Sequence, residues 1–213
     1  MRSVTDIARE LEDLIQDHYY REDFELLSAV RAYRANLEGA EADALREVVQ
    51  QRIERECSIV DILLCSVVEV PAAAPLLAAQ LAREDVPSQT TRALLTALQH
   101  YRGDEVFAAV ARFVDSDQEN EALQALARID FALALPHFIS ALRRDQQLDL
   151  CLHILHDRAK HVGLPALAAE LRQLVVQPAP ELGGRLALAL RAKRAPFNPF
   201  AEADLAILLA ALA

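Results

Sequence analysis

The chain has 213 residues, 32 acidic against 22 basic, for a net charge of −10. That balance disfavours nucleic acid and anionic membrane as partners, since both require clustered Lys and Arg to displace counterions. Ala and Leu dominate the 53% of residues that are hydrophobic, with five Gly and no Trp, which points to an all-α fold and away from sheets.

A first helix is expected from Val4 to Asp17. Val4, Ile7, Ala8, Leu11, Leu14 and Ile15 form one apolar stripe, and Asp6, Glu10, Glu12, Asp13 and Asp17 form the opposite face. A second helix is expected over Glu22–Asn36, with Gly39 in the loop after it, and a third starts near Ala40. Ser58 followed by Asp61 resembles an N-terminal cap. The run Ile59–Val70 behind it is apolar nearly all round and is expected to be the most buried helix, ending at Pro71. None of the apolar runs has membrane-spanning length, and the acidic N-terminus does not read as a signal peptide.

Beyond Ala72 a step of 29 residues links Leu77, Val106, Leu135 and Leu164. The same step links Leu81, Val110, Ile139 and Ala168, and it links Phe113, Leu142 and Leu171. In the intervening helices it takes Leu123 and Leu126 to Leu152 and Leu155, and a step of 28 reaches back to Leu95 and Leu98. The units are helix pairs: 72–84 with 88–101, 104–115 with 118–129, 131–143 with 146–161, and 164–176 with 180–192. Ser88, Asp104, Asp117 and Asp130 are expected to start helices by accepting from free backbone N–H groups. Gly163 should end one helix and Pro165 sit in the first turn of the next, while Pro136 lies inside its helix and should kink it.

The stretch Leu133-Ala-Leu-Pro136-His-Phe-Ile-Ser-Ala-Leu142-Arg-Arg-Asp145 resembles the first helix of a HEAT repeat. Phe113-Val-Asp-Ser-Asp117 with Glu121-Ala-Leu-Gln-Ala-Leu126-Ala resembles its turn and second helix, without the family's Val-Arg opening. The resemblance covers residues 72–177. It implies a right-handed α-α superhelix in a single α-helical domain, 1–213: a helical N-terminal cap or divergent repeats over 1–70, HEAT-like helix pairs over 72–192, and a C-terminal capping helix over 200–213. HEAT-like proteins are mostly scaffolds and adaptors. Some are DNA glycosylases and some act on tetrapyrrole–protein bonds, so the resemblance implies a binding surface and no particular reaction.

His153, Asp157 and His161 fall at i, i+4 and i+8 on one helix face and are the candidate ligands for a divalent metal. Two helical turns separate the outer pair by about 12 Å, so one ion cannot take all three, and a polar helix face is the competing account. Cys57, Cys65 and Cys151 make no disulfide framework and are read as small hydrophobes in a reducing cytoplasm. Tyr19, Tyr20 and Arg21 are candidate partner contacts, as are Arg185, Arg191 and Arg194 of the basic island that also holds Lys193. Two Phe in Pro196-Phe197-Asn198-Pro199-Phe200 should staple a last, almost wholly apolar helix, which is expected to be buried or to form a homodimer face.

No catalytic or cofactor signature stands out, and no cofactor is expected. The leading expectation is a non-catalytic protein-interaction module or scaffold. Two alternatives stand beside it: a metal-binding helical protein at His153 and Asp157, and a HEAT-type DNA glycosylase. The second requires Arg92, Arg128, Arg158 and Arg172 to share one groove. Only two of the 22 basic residues are Lys, and with the abundant Ala this suggests a GC-rich bacterial genome.

Overall fold

The computed structural model describes residues 3–19, 32–33, 35–37, 39–141, 148–176, 180–192 and 198–212. Among these residues there are twelve helices and no strands, as the Ala and Leu excess requires. The chain clusters into two compact units, Met1–Ile129 and Asp130–Ala213. The expected helix over Glu22–Asn36 lies almost wholly outside the described residues.

In the first unit, α1 (Val4–Tyr19) buries Ile7, Leu11 and Ile15, the stripe read from the sequence. Ser3 starts it, its Oγ accepting from the Asp6 amide at 3.2 Å. α1 lies on α2 (Gly39–Glu56) and α3 (Ile59–Val68). Ser58 and Asp61 form the full capping box at the head of α3. Every α3 residue from Asp61 to Val68 is buried, so this is the helix enclosed on all sides. It ends at Glu69, whose φ of 38° lies in the left-handed region and turns the chain sharply.

Four helices follow: α4 (Ala73–Leu81), α5 (Ser88–Leu98), α6 (Asp104–Ala111) and α7 (Glu119–Ile129). Consecutive helices pack as hairpins, α4 on α5 and α6 on α7. Alternate helices also pack, α3 beside α5, α5 beside α7, and α4 beside α6. The leucine tracks explain this. Leu77, Leu81, Val106 and Val110 are buried on α4 and α6, and Leu95, Leu98, Leu123 and Leu126 on α5 and α7. Side chains at equivalent positions thus fill one seam between neighbours.

The second unit holds α8 (Phe131–Ala141), α9 (Leu148–Val162), α10 (Leu164–Val176), α11 (Pro180–Ala192) and α12 (Glu202–Ala211). α10 touches α9, α11 and α12, and α11 also packs on α8. Pro136 is inside α8 as expected. Gly163, at φ 87°, closes α9, its amide 2.8 Å from the Ala159 carbonyl, and Pro165 is the second residue of α10. Leu135, Leu152, Leu155, Ala168 and Leu171 from the 29-residue tracks are buried here, whereas Leu164, like Phe113 in the first unit, is only half-buried, and the Ile139 side chain and Leu142 lie outside the described residues.

The expected helix starters require correction. Only Asp130 accepts as anticipated, its Oδ1 taking the Leu133 amide at 3.1 Å. α5 is preceded by Pro87 and α6 by Gly103, at φ 122°, neither with a side-chain cap. Before α7 the acceptor is Ser116 Oγ, not Asp117, and it takes the Gln118 amide at 3.1 Å. Ser88 serves a different purpose, described below.

Candidate functional site

Polar side chains connect neighbouring hairpins of the first unit at a recurring offset. On α5 and α7, Arg92 Nε lies 2.9 Å from Glu121 Oε1, and Arg128 donates to Gln99 Oε1. Both pairs are 29 positions apart. Gln118 Nε2 donates to Ser88 Oγ at 2.8 Å across 30 positions. Two contacts at an offset of 29 and one at 30, spread along the start, middle and end of the two helices, make α5 and α7 parallel and nearly in register. At the hairpin junction Arg102 donates to the Ile129 carbonyl, so that position too is tied to the next unit of the row.

The α3–α5 junction is drier. There the Tyr101 hydroxyl accepts from the Val70 amide at 3.1 Å and donates to the Cys65 carbonyl at 3.5 Å. Burial, then the neighbouring Cys65, pushes the Tyr101 phenol up from its ordinary range. Burial likewise pushes the Cys65 thiol up to about 12, with the Tyr101 hydrogen bond opposing part of the rise. Cys65 and Cys151 are buried and reduced, whereas Cys57 is only half-buried, less enclosed than its reading as a core hydrophobe.

At the other end of the unit Arg52 ties three helices together. It pairs with Glu12 of α1, and its Nε lies 2.6 Å from Oδ1 of the buried Asp61 of α3, an ion pair without hydrogen-bond alignment. Arg52 and Glu12, with Val4, Thr5, Ala8, Arg9 and Val48, line a cleft of about 320 Å³ between α1 and α2. Of its charged lining residues Arg52 and Glu12 are paired with each other, and Arg9 is the third.

In the second unit His153, Asp157 and His161 are exposed along α9, and His153 Nδ1 is 2.8 Å from the Asp149 carbonyl. Among the described residues no group of three His, Cys, Asp or Glu side chains is arranged to hold a metal ion. His156, on another face, meets Phe200 edge-on at 5.3 Å. Burial, then Lys160, holds it below the ordinary imidazole range. Phe200 is buried, as half of the expected staple, and Phe197 lies outside the described residues. The buried Asn198 does the joining: its amide donates to the Leu190 carbonyl of α11 at 3.2 Å and accepts from the Phe200 amide at 3.0 Å.

α12 buries Leu208 and Ala211 and leaves Ala203, Ala206, Ile207 and Ala210 exposed, so it is covered on one side only. Of the proposed contact residues, Arg191 is exposed near the end of α11, while Tyr20, Arg21 and Arg194 lie outside the described residues. Tyr19 and Arg185 are placed in the backbone of α1 and α11. The four groove arginines have separate neighbours. Arg92 faces Glu121 and Arg128 faces Gln99. Arg158 pairs with Glu170 and stacks over Phe131 at 5.1 Å, and Arg172 is exposed.

Local pattern did not single out Arg52, Tyr101 or Asn198 as connectors. The one available signal for Asp61 was its carboxylate inside an apolar run, which requires a partner once buried.

The chain matches no known protein-family model, and no curated protein or solved structure is significantly similar to it. The fold and site therefore define the class at its coarsest: an all-helical protein, in which no helix among the described residues is long and apolar enough to cross a membrane.

Proposed function

We propose that the chain is a HEAT-like stack of helical hairpins that binds a protein partner and catalyses no reaction of its own. The observation that supports this reading is the shared 29-position offset of Arg92–Glu121 and Gln99–Arg128, with Ser88–Gln118 one position longer. Side-by-side hairpins with one period build a surface that grows with each unit, which is how helical repeats recognise large partners. On this reading α1 is the cap of the row, and the exposed apolar side of α12 is a place for a second copy. Tyr19, Tyr20, Arg21, Arg185, Arg191 and Arg194 are contact residues, and the setting is the cytoplasm.

Affinity capture at physiological salt, with cross-linking and mass spectrometry, tests it. A partner protein cross-linked to more than one hairpin is the expected result. Copurification of a bound metal, or turnover of a damaged DNA base by the purified chain, would overturn the proposal in favour of a catalytic one.

A further inference from the structure

From Val70 to Ala82 no residue carries a charge. Pro71, Ala72, Pro75, Leu76, Ala79 and Ala82 in this stretch are all exposed. Positions 72, 75, 76, 79 and 82 follow the three- and four-residue spacing of a single helix face, so α4 presents an apolar side to solvent while Leu77 and Leu81 hold it to the core. Leu76 alone is 45% exposed, which is unremarkable for one leucine; a whole helix side without a charge is not.

The unit that carries this face is anionic. Residues 1–129 contain 24 acids and 13 bases, net −11, whereas residues 130–213 contain 8 acids and 9 bases. α6 packs beside α4, and the 29-residue step takes the buried Leu77 and Leu81 to the buried Val106 and Val110. The same step takes the exposed Leu76 to the exposed Glu105, and Ala79 to the exposed Ala108. The two outward faces therefore lie side by side, with Asp104 and Glu105 in the first turn of α6 along one border. Neither acid is ion-paired among the described residues. At the far end of the two helices Glu84 is exposed, Arg83 is paired with Asp85 at 3.0 Å, and Arg112 is exposed, so the acidic border is the Asp104 and Glu105 end.

We propose that the outward face of α4, bordered by Asp104 and Glu105, docks an amphipathic partner helix whose apolar stripe is flanked by Lys or Arg. The apolar stripe covers Ala72, Leu76 and Ala79, and the flanking cations meet the acidic border. Charge selects this occupant: a second copy of the same face would set acid against acid, and an anionic membrane would be repelled. The proposal rests on the partner-binding reading above and assigns that reading a surface and a ligand chemistry.

The test uses the whole chain and two fluorescent 14-residue helical peptides with one leucine stripe, flanked by Lys in one and by Glu in the other. The Lys peptide should bind and the Glu peptide should not. Leu76→Asp or Ala79→Arg should weaken the Lys peptide about tenfold or more, with unchanged circular dichroism because both positions are exposed. Asp104→Lys with Glu105→Lys should shift preference towards the Glu peptide. Equal binding of both peptides, or Lys-peptide binding indifferent to Leu76→Asp and Ala79→Arg, overturns the proposal. So does a homodimer dissolved by Leu76→Asp. A captured partner insensitive to both face variants leaves the binding-module reading standing and sinks this surface alone.

Discussion

Arg92 and Glu121 occupy equivalent places on successive hairpins, and Arg92 Nε meets Glu121 Oε1 at 2.9 Å. Because Arg92 is 54% exposed, the pair fixes register more than it adds stability. Arg92→Glu should destabilise by about 0.5 kcal/mol, and adding Glu121→Arg should recover most of it. Urea unfolding of the two single variants and the double variant measures the coupling. Strictly additive effects would mean the two side chains do not interact.

Arg52 neutralises a carboxylate that has little water around it. Arg52→Ala leaves Asp61 buried beside an apolar helix and should cost about 2 kcal/mol, less than for a fully enclosed pair because Arg52 is 37% exposed. Asp61→Asn in that background should return part of the loss, since Asn keeps an oxygen for the Ser58 cap. A melting temperature unchanged by Arg52→Ala would show that the three-helix tie is slack.

Tyr101→Phe removes the acceptor of the buried Val70 amide. An orphaned buried N–H costs about 1–2 kcal/mol, so the variant should unfold at lower urea with an unchanged slope. Amide exchange at Val70 should accelerate more than exchange along α7. Uniform acceleration would place the effect in global stability and not at this contact.

Cys65 gives the first unit an alkaline weakness. Its thiol ionises near 9 in an unfolded chain and at about 12 in the fold. Between those values unfolding releases a proton, so stability is fully present below pH 9 and falls as pH rises towards 12. Tyr101, raised in the same direction, adds to the fall. Cys65→Ala should flatten the decline in melting temperature above pH 9. Alkylation at pH 8 should reach Cys57 in the native protein before Cys65 or Cys151.

The proposed repeat reading predicts that the first unit tolerates loss of one 29-residue period. Deleting residues 89–117 moves Gln118 back one 29-residue step to position 89 and is designed to place α7 where α5 stood. The shortened chain should keep its helical signal per residue and a single cooperative melt. Loss of cooperative unfolding would indicate that the hairpins are not equivalent.

What could be read in the sequence was local. The capping box of Ser58 and Asp61, the Gly163–Pro165 stop and start, and the enclosure of Ile59–Val68 depend on neighbours within a few residues. The leucine tracks were legible because a period repeats itself. The ties of Arg52 to Glu12, Tyr101 to Val70 and Asn198 to Leu190 leave no period. Each depends on where the chain returns, and no composition rule encodes that. Ser88 shows the same limit in reverse: its type suits a helix start, yet its hydroxyl is taken by Gln118 from the next hairpin.

The alternate-helix packing of the first unit also governs how quickly it can form. Its ties span 29 positions from Arg92 to Glu121, 30 from Ser88 to Gln118 and 36 from Cys65 to Tyr101. Closing such loops has an entropic cost that rises only slowly with length. The order of events can therefore follow the order of synthesis, each hairpin settling on the one before it and presenting the nucleus for the next, with rates set by nearest neighbours and not by the length of the whole chain.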